Sequence, residues 1–244
     1  MSAAPIYTFQ GREVRMPCMV RDASSGSATF LVDARRAQAL LPGDAFRVAE
    51  PWPGKALLSL AAIDYRDNDL GDYNEVSIAL VVREPGAPRG VPYLGAALDV
   101  LRGRLRTFIH WLPVDQSFTR DAGEGIWGFP KTVEQIDFRT EERRASCRLV
   151  AGGRHVLTLS LHRGGTRRLP DTEMVTYTIL DGAPHRTRFT SGAEGFGVSF
   201  SGARLELGDH PYAERLRGLG LPRRPLMCAW MEHMHGRFEA PEKL

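Results

Sequence analysis

The chain has 244 residues, 32 Lys plus Arg against 29 Asp plus Glu, and a formal net charge of +3; 43% of it is hydrophobic and 25% charged. That length fits one large β-type domain or two small ones, each with room for a core, and the composition is that of a soluble globular protein. A balance this even, with arginines scattered rather than blocked, argues against a nucleic-acid partner, and no apolar run approaches the roughly 20 residues needed to span a membrane.

The amino terminus shows no basic segment followed by an apolar run, so no signal peptide is expected and the chain reads as cytoplasmic. Met16 to Val20 and Ala28 to Val32 read as short strands. Asp33 to Gly43 reads as a short helix, with Asp33 as N-cap, good helix formers after it and Pro42-Gly43 as the stop. Leu57 to Tyr65 is a strand that breaks at the turn-rich Asp67-Asn68-Asp69. Asp72 to Val82 is the clearest strand. Its even positions, Asn74 to Val82, form a core face; its odd positions, Tyr73, Glu75, Ser77, Ala79 and Val81, form a mixed face that either lines a pocket or meets water.

Glu84 to Tyr93, with three prolines and two glycines, reads as a loop. Leu105 to Leu112 is a strand entering a turn at Pro113 to Gln116. Ser117 to Gly125 reads as one or two helical turns capped by Asp115 or Ser117. Val133 to Phe138 alternates as a strand. Ala145 to Ala151 and His155 to Leu161 flank Gly152-Gly153-Arg154 as a hairpin. Strands follow at Thr172 to Leu180, Arg186 to Thr190 and Phe196 to Leu207. A helix over Asp209 to Leu219, capped by Asp209, precedes a final strand, Leu226 to Phe238. No fixed-period repeat interrupts this order. The sum is a mostly β (α+β) fold, an antiparallel barrel or sandwich with a few short helices on one side and more helix than a simple lipocalin-like meander.

Only three of the 32 basic residues are lysines: Lys55, Lys131 and Lys243. Lys131 falls in the most aromatic and apolar octet, Gly125-Ile126-Trp127-Gly128-Phe129-Pro130-Lys131-Thr132. Arginine keeps its proton near neutral pH, whereas an apolar setting can free a lysine amine to act as a nucleophile. The alternative is a strand-start lysine that reaches solvent past its aromatic neighbours. His233 and His235 have a spacing suited to two metal ligands on a strand, but no third ligand is evident, and packing is the simpler role. The glycines of Gly192 to Gly197 do not match a dinucleotide fingerprint, and Gly197 to Ser201 misses the nucleophile-elbow pattern. Cys18, Cys147 and Cys228 are too few and too scattered for a disulfide scaffold or a zinc ribbon.

Taken in order, these residues resemble the acetoacetate decarboxylase family. Gly11-Arg12-Glu13 is similar to its Arg-Glu pair, and Asp72-Tyr73-Asn74-Glu75 to its Tyr-x-Glu strand. Leu112-Pro113-Val114-Asp115-Gln116 sits where the family has a Leu-Asp-Asn turn. Gly123 to Lys131 matches the segment ending in aromatic-Pro-Lys, and Asp209-His210, Leu221-Pro222 and the last strand resemble the family's carboxy-terminal part. The resemblance implies a single domain over residues 1–244, a conical mostly β fold and a homo-oligomer. It implies no cofactor, no metal, no membrane and no nucleic acid, with a small-molecule oxo acid as substrate.

Carried over, Lys131 is the Schiff-base lysine, and Glu75 and Arg12 are polar groups beside the substrate. Trp127, Phe129 and Gln116 are expected to bind it. The activated lysine is the family's own mechanism rather than one read from these residues. The sequence departs from the family at Thr132, where decarboxylases usually carry a second lysine whose charge would favour a neutral neighbouring amine. That departure leaves open a decarboxylase or an aldolase-dehydratase or cyclase using the same imine; a non-catalytic ligand-binding barrel that keeps the family's cavity is the competing expectation.

Overall fold

The computed structural model describes residues 4–83, 86 and 106–244; the loop expected over 84–93 lies almost wholly outside them. In chain order the described elements begin with β1 (Ile6–Phe9), β2 (Arg12–Arg15), β3 (Cys18–Asp33), α1 (Ala34–Gln38), β4 (Lys55–Asn68) and β5 (Tyr73–Val81). Then come β6 (Arg106–Val114), α2 (Ser117–Trp127), β7 (Lys131–Val133), β8 (Gln135–Thr140), β9 (Arg144–Ala151) and β10 (Arg154–His162). The chain closes with β11 (Arg167–Leu180), β12 (Ala183–Ser199), β13 (Arg204–Leu207), α3 (Pro211–Gly218), β14 (Met227–Phe238) and β15 (Glu242–Lys243). The fold is mostly β, as the sequence pattern indicates.

The large sheet runs β11-β12-β14-β3-β4-β5-β6-β7, and a further pairing of β11 with β6 closes seven of these strands into a ring. Closure is parallel, Val175 to Tyr177 against Arg106 to Phe108. The β6–β7 pairing is also parallel, because α2 is the crossover between those strands. The expected all-antiparallel arrangement therefore has two exceptions. A separate four-stranded sheet, β13-β10-β9-β8, packs on one side of the ring, and the β1–β2 hairpin forms a third.

Two cores result. The outer core joins β3, β4 and β5 to the four-stranded sheet, α1 and α3 through residues such as Phe30, Leu58, Ile78, Leu80, Leu149 and Leu159. The second receives side chains from all seven ring strands, and only the inside of a closed ring can do that. It holds Cys18, Tyr65, Tyr73, Leu112, Phe189 and Met234, with Phe118, Ile126 and Trp127 of α2.

Several elements differ from expectation. β3 is one strand of 16 residues, not two short ones. Its serine-rich middle stays in the sheet because Gly26 leaves room for Trp230 and Leu161, where a Cβ would come within 2.9 and 2.5 Å. β4 runs on to Asn68, whose side chain accepts from the Leu70 amide and donates to the Gly71 carbonyl, so the turn falls later. The expected Val133 to Phe138 strand divides at Glu134 between the ring and the four-stranded sheet. The Phe196 to Leu207 segment divides likewise into the end of β12 and β13, and Arg186 to Thr190 lies within β12. Asp33 caps α1 by accepting from the Arg36 amide. α2 starts after Gln116, which makes no side-chain cap, and α3 is capped by His210 rather than Asp209. A two-residue strand follows β14, so Leu226 to Phe238 does not close the sheet. Among the described residues no helix is long and apolar enough to cross a membrane.

Candidate active site

Lys131 opens β7, paired with Leu112 of β6, and its side chain enters the ring. Its Nζ donates to Glu75 Oε2 at 2.8 Å. Lys131 is 4% exposed and Glu75 6%, and among the described residues they are the only buried side chains that carry charge. Strand alternation put Glu75 on the mixed face of β5, and that face turns out to point into the ring rather than to water.

Three glycines of the Gly123 to Gly128 segment each have a separate task. A Cβ on Gly123 would stand 2.6 Å from both Cδ and Cε of Lys131, so with any other residue there the lysine stem would have to shift. A Cβ on Gly125 would stand 2.5 Å from the Phe9 ring. Gly128 ends α2 in the left-handed region, at φ 66°. The lysine is thus held by a helix shaped around it.

The aromatic surroundings are dense. Lys131 Nζ lies 5.1 Å from the centre of the Tyr73 ring, and Tyr73 stacks on Tyr65 at 4.6 Å. Burial first, then the charge of Glu75, holds both phenols well above the usual tyrosine range. Burial likewise raises the Cys18 thiol to about 12, helped by Asp69 and opposed by Lys131 and Arg21. All three cysteines are free and buried.

The other expected site residues are placed as follows. Trp127 and Phe129 stack on each other at 5.5 Å in the enclosed cluster, and the Trp127 indole donates to the Glu239 carbonyl at 2.9 Å. Arg12 is exposed on β2, its guanidinium 3.7 Å above the Phe118 ring; among the described residues it makes no ion pair. Its hairpin nonetheless reaches the site: Val14 and Met16 enter the enclosed cluster, and Gln10 donates to Asp121 of α2 at 2.7 Å. Gln116 is exposed at the start of α2. The structure therefore brings Lys131 and Glu75 into contact, sets Trp127 and Phe129 in the same cluster, and leaves Arg12 and Gln116 at the surface.

Thr132 points the other way. Its hydroxyl accepts from the Trp111 indole at 2.9 Å, and Trp111 packs against Tyr212 of α3 on the outer side. A cation at 132 would face away from Lys131, so this departure does not remove a like charge from the lysine's surroundings. A cavity of about 280 Å³ lies nearby, lined by residues including Pro42, His110, Gly128 and Pro130 but not by Lys131 or Glu75. The charged pair, rather than that void, is the candidate site.

His233 and His235 go to different partners, Asp22 and Asp171, each at 3.1 Å. Among the described residues no cluster of three or more His, Cys, Asp or Glu side chains is placed to hold a metal. Sequence reasoning passed over Tyr65 and Gly123. A hairpin centred near Asp69 would have set Tyr65 opposite Tyr73, the pairing observed. Gly123 carried no signal, because a helical glycine is explained only by what crosses it.

Among the described residues, a closed, mostly β ring with one lysine–glutamate pair buried in it sets the class of fold. Within that class the chain belongs to the acetoacetate decarboxylase family, whose model, described as "Acetoacetate decarboxylase (ADC)", matches residues 3–235. It is similar in fold to acetoacetate decarboxylase from Legionella pneumophila, with a TM-score of 0.68 and 16% identity over 100% of this chain and 90% of that one. It is also similar to the enduracididine biosynthesis enzyme MppR complexed with pyruvate, with a TM-score of 0.62 and 15% identity over 99% and 98% of the two chains. An acetoacetate decarboxylase-like enzyme from Sphingomonas wittichii RW1 gives a TM-score of 0.60 and 16% identity, with both chains covered at 100%. No curated protein matches the chain significantly.

Proposed function

We propose that this protein is a Schiff-base-forming lyase acting on a small oxo acid, with Lys131 as the nucleophile and decarboxylation as the reaction. The observation that carries this reading is the 2.8 Å contact between Lys131 Nζ and Glu75 Oε2, both buried inside the ring. A buried ion pair is weak evidence of stabilisation, because desolvation offsets the attraction, whereas a carboxylate beside an amine can take its proton.

In the proposed sequence Glu75 accepts a proton from the Lys131 ammonium. The free amine adds to the ketone carbon of the substrate. The former carbonyl oxygen leaves as water, with Glu75 returning its proton, and a protonated imine remains. The imine draws in the electron pair of the bond to the carboxylate carbon, carbon dioxide departs, and an enamine forms. Protonation at carbon and hydrolysis release the ketone and restore the lysine. Trp127 and Phe129 wall the amine from water. Arg12, a cation with no ion-pair partner among the described residues, offers a bidentate fork for a substrate carboxylate, and Gln116 offers an amide at the start of α2.

The test is sodium borohydride trapping with acetoacetate and with pyruvate, followed by peptide mapping. A reduced adduct on Lys131, absent from Lys55 and Lys243, is the expected outcome. Failure to find it under conditions where the oxo acid demonstrably binds would sink the proposal. Release of carbon dioxide, as against water loss from an aldol product, separates decarboxylation from the aldolase-dehydratase alternative, which shares the imine. A Lys131→Ala protein that still binds ligand, with turnover in neither form, would leave a binding barrel.

A further inference from the structure

The inner face of β3, β4 and β5 runs on past Glu75, and the steps above give that stretch no task. Directly paired residues of neighbouring antiparallel strands share a face. Glu75 pairs with Ile63 and Ile63 with Ser25, so these three form one row inside the ring. The next row is Ser77, Ala61 and Ser27, and the one after it Ala79, Ser59 and Thr29. Two residues along a strand span about 7 Å, so the Ser77 row lies about 7 Å from the row of Glu75. Beyond Glu75 these rows hold hydroxyl and small apolar side chains and no charge.

Exposure divides this face. Around Lys131 and Glu75 it is as dry as the outer core, and at its far end Leu57 and Val81 are 1% and 5% exposed. Between those ends Ser27, Thr29, Ser59 and Ser77 are only half-buried, while their outer-face neighbours Ala28, Leu60 and Ile78 are sealed. The middle of the inner face therefore has open space over it. Water alone would accept long charged side chains at such positions. Small uncharged ones leave room as well as hydrogen-bonding capacity.

Ser25 is an independent sign of a missing partner. Its neighbour Ser24, on the outer face, is 1% exposed and fully engaged: it donates to the Glu232 carbonyl at 3.0 Å and accepts from Arg66 at 2.7 Å. Ser25 is 5% exposed, and its hydroxyl, like those of Ser27, Ser59 and Ser77, has no hydrogen-bond partner among the described residues. A hydroxyl buried without a partner is costly, and a ligand lying along the row of Glu75 would supply one.

We propose that the inner-face hydroxyls from Ser25 to Ser77 form a subsite for the tail of the substrate, and that the substrate is an oxo acid whose tail carries hydroxyl groups. With the ketone at Lys131, a tail directed along β5 meets Ser77 and Ser27 about 7 Å further on. Uncharged donors and acceptors suit a neutral polar tail: an alkyl tail would leave them unpaired, and an anionic tail would find no cation in these rows. The ketone end of this assignment rests on the Schiff-base reading; recognition of the tail does not.

The test compares borohydride trapping at Lys131 with 2-oxohexanoate and with 2-keto-3-deoxygluconate, which share a carbon skeleton and differ in the hydroxyls of the tail. The half-saturating concentration should be about tenfold lower for the hydroxylated acid, the equivalent of one or two net hydrogen bonds. Ser27→Ala combined with Ser77→Ala should bring the two acids within about twofold of each other. Ser77→Thr, which keeps a hydroxyl, should retain the preference. Equal half-saturation of the two acids by the wild-type protein, or a preference that survives the double alanine variant, would overturn the assignment.

A second readout needs no imine. D-Gluconate and hexanoate lack the ketone, and calorimetric titration should show gluconate binding the more tightly, by a margin that the double alanine variant removes. Serine-dependent gluconate binding by a protein that never traps an oxo acid refutes the Schiff-base reading and leaves the subsite standing. Trapping of both longer acids with equal affinity refutes the subsite and leaves the role of Lys131 intact. Neither trapping nor gluconate binding refutes both.

Discussion

β5 shows two faces to two different interiors. Val76, Ile78 and Leu80 enter the outer core, and Tyr73, Glu75 and Ala79 turn into the ring. Both interiors are equally dry: Leu80 is 0% exposed, Lys131 4% and Glu75 6%. Their energetics are opposite. Each large aliphatic side chain on the outer face contributes about 1.5–3 kcal/mol by leaving water. On the inner face, desolvating each ion costs several kcal/mol, which mutual attraction offsets only with good geometry. Depth of burial therefore does not separate a site from a core. What separates them is that one face keeps a charged pair that stability alone would not favour.

Making the inner face resemble the outer one breaks that contrast and has the largest expected effect. Lys131→Met ends adduct formation with any oxo acid and leaves Glu75 buried without its partner, destabilising the fold by about 3–5 kcal/mol at neutral pH. Adding Glu75→Leu should recover that loss and raise stability above wild type by about 1–4 kcal/mol, still without chemistry. Urea unfolding of the three proteins measures this, and a double variant no more stable than the single one would show that the pair is a net stabiliser. The reciprocal change is Leu80→Ala on the outer face. It should cost about 2–5 kcal/mol in the same assay and leave the rate of imine formation unchanged.

How much of this was legible in the sequence follows the same division. The outer face of β5 could be read because unbroken aliphatic alternation has one meaning. The inner face was ambiguous because Tyr73, Glu75 and Ser77 suit water as well as a pocket, and only ring closure decides between them. That closure rests on the short parallel β6–β11 pairing, made between residues far apart in the chain, which no local pattern announces. The β1–β2 hairpin escaped notice for a local reason. Its turn is Gln10-Gly11 with both residues at positive φ, 47° and 75°, a conformation that Asn-Gly or Asp-Gly would have advertised and Gln-Gly does not. Lys131 was legible because a chain so poor in lysine placed one among aromatic residues. Its contact with Glu75 needed the tertiary fold.

A narrower change probes the fit around the lysine without touching charge. In Gly123→Ala the new methyl would overlap the Lys131 stem, whose Cδ and Cε lie 2.6 Å from its position. The stem must shift, and displacement of a reacting group by about 1 Å costs on the order of 100-fold in rate. Imine formation should therefore fall by about 10- to 100-fold. Stability should change little, because alanine favours the helix by about 1 kcal/mol over glycine and offsets part of the crowding. Stopped-flow trapping together with thermal unfolding separates the two effects. An unimpaired rate would mean that the lysine reaches its working position by another path.

The smallest expected effect belongs to the residue that first set this chain apart from its family. Thr132 follows Lys131 directly, but strand alternation sends the two side chains to opposite faces, Thr132 toward Trp111 and Lys131 toward Glu75. Thr132→Lys should lose the hydrogen bond from the Trp111 indole, costing about 1 kcal/mol of stability. The new ammonium, on a side chain long enough to reach solvent past Trp111, is hydrated and screened there. Imine formation at Lys131 should then stay within about twofold of wild type, measured by borohydride trapping across neutral pH. A change of tenfold or more would mean that the sheet transmits charge between its faces, and position 132 would regain the influence on the lysine that its place in the sequence suggests.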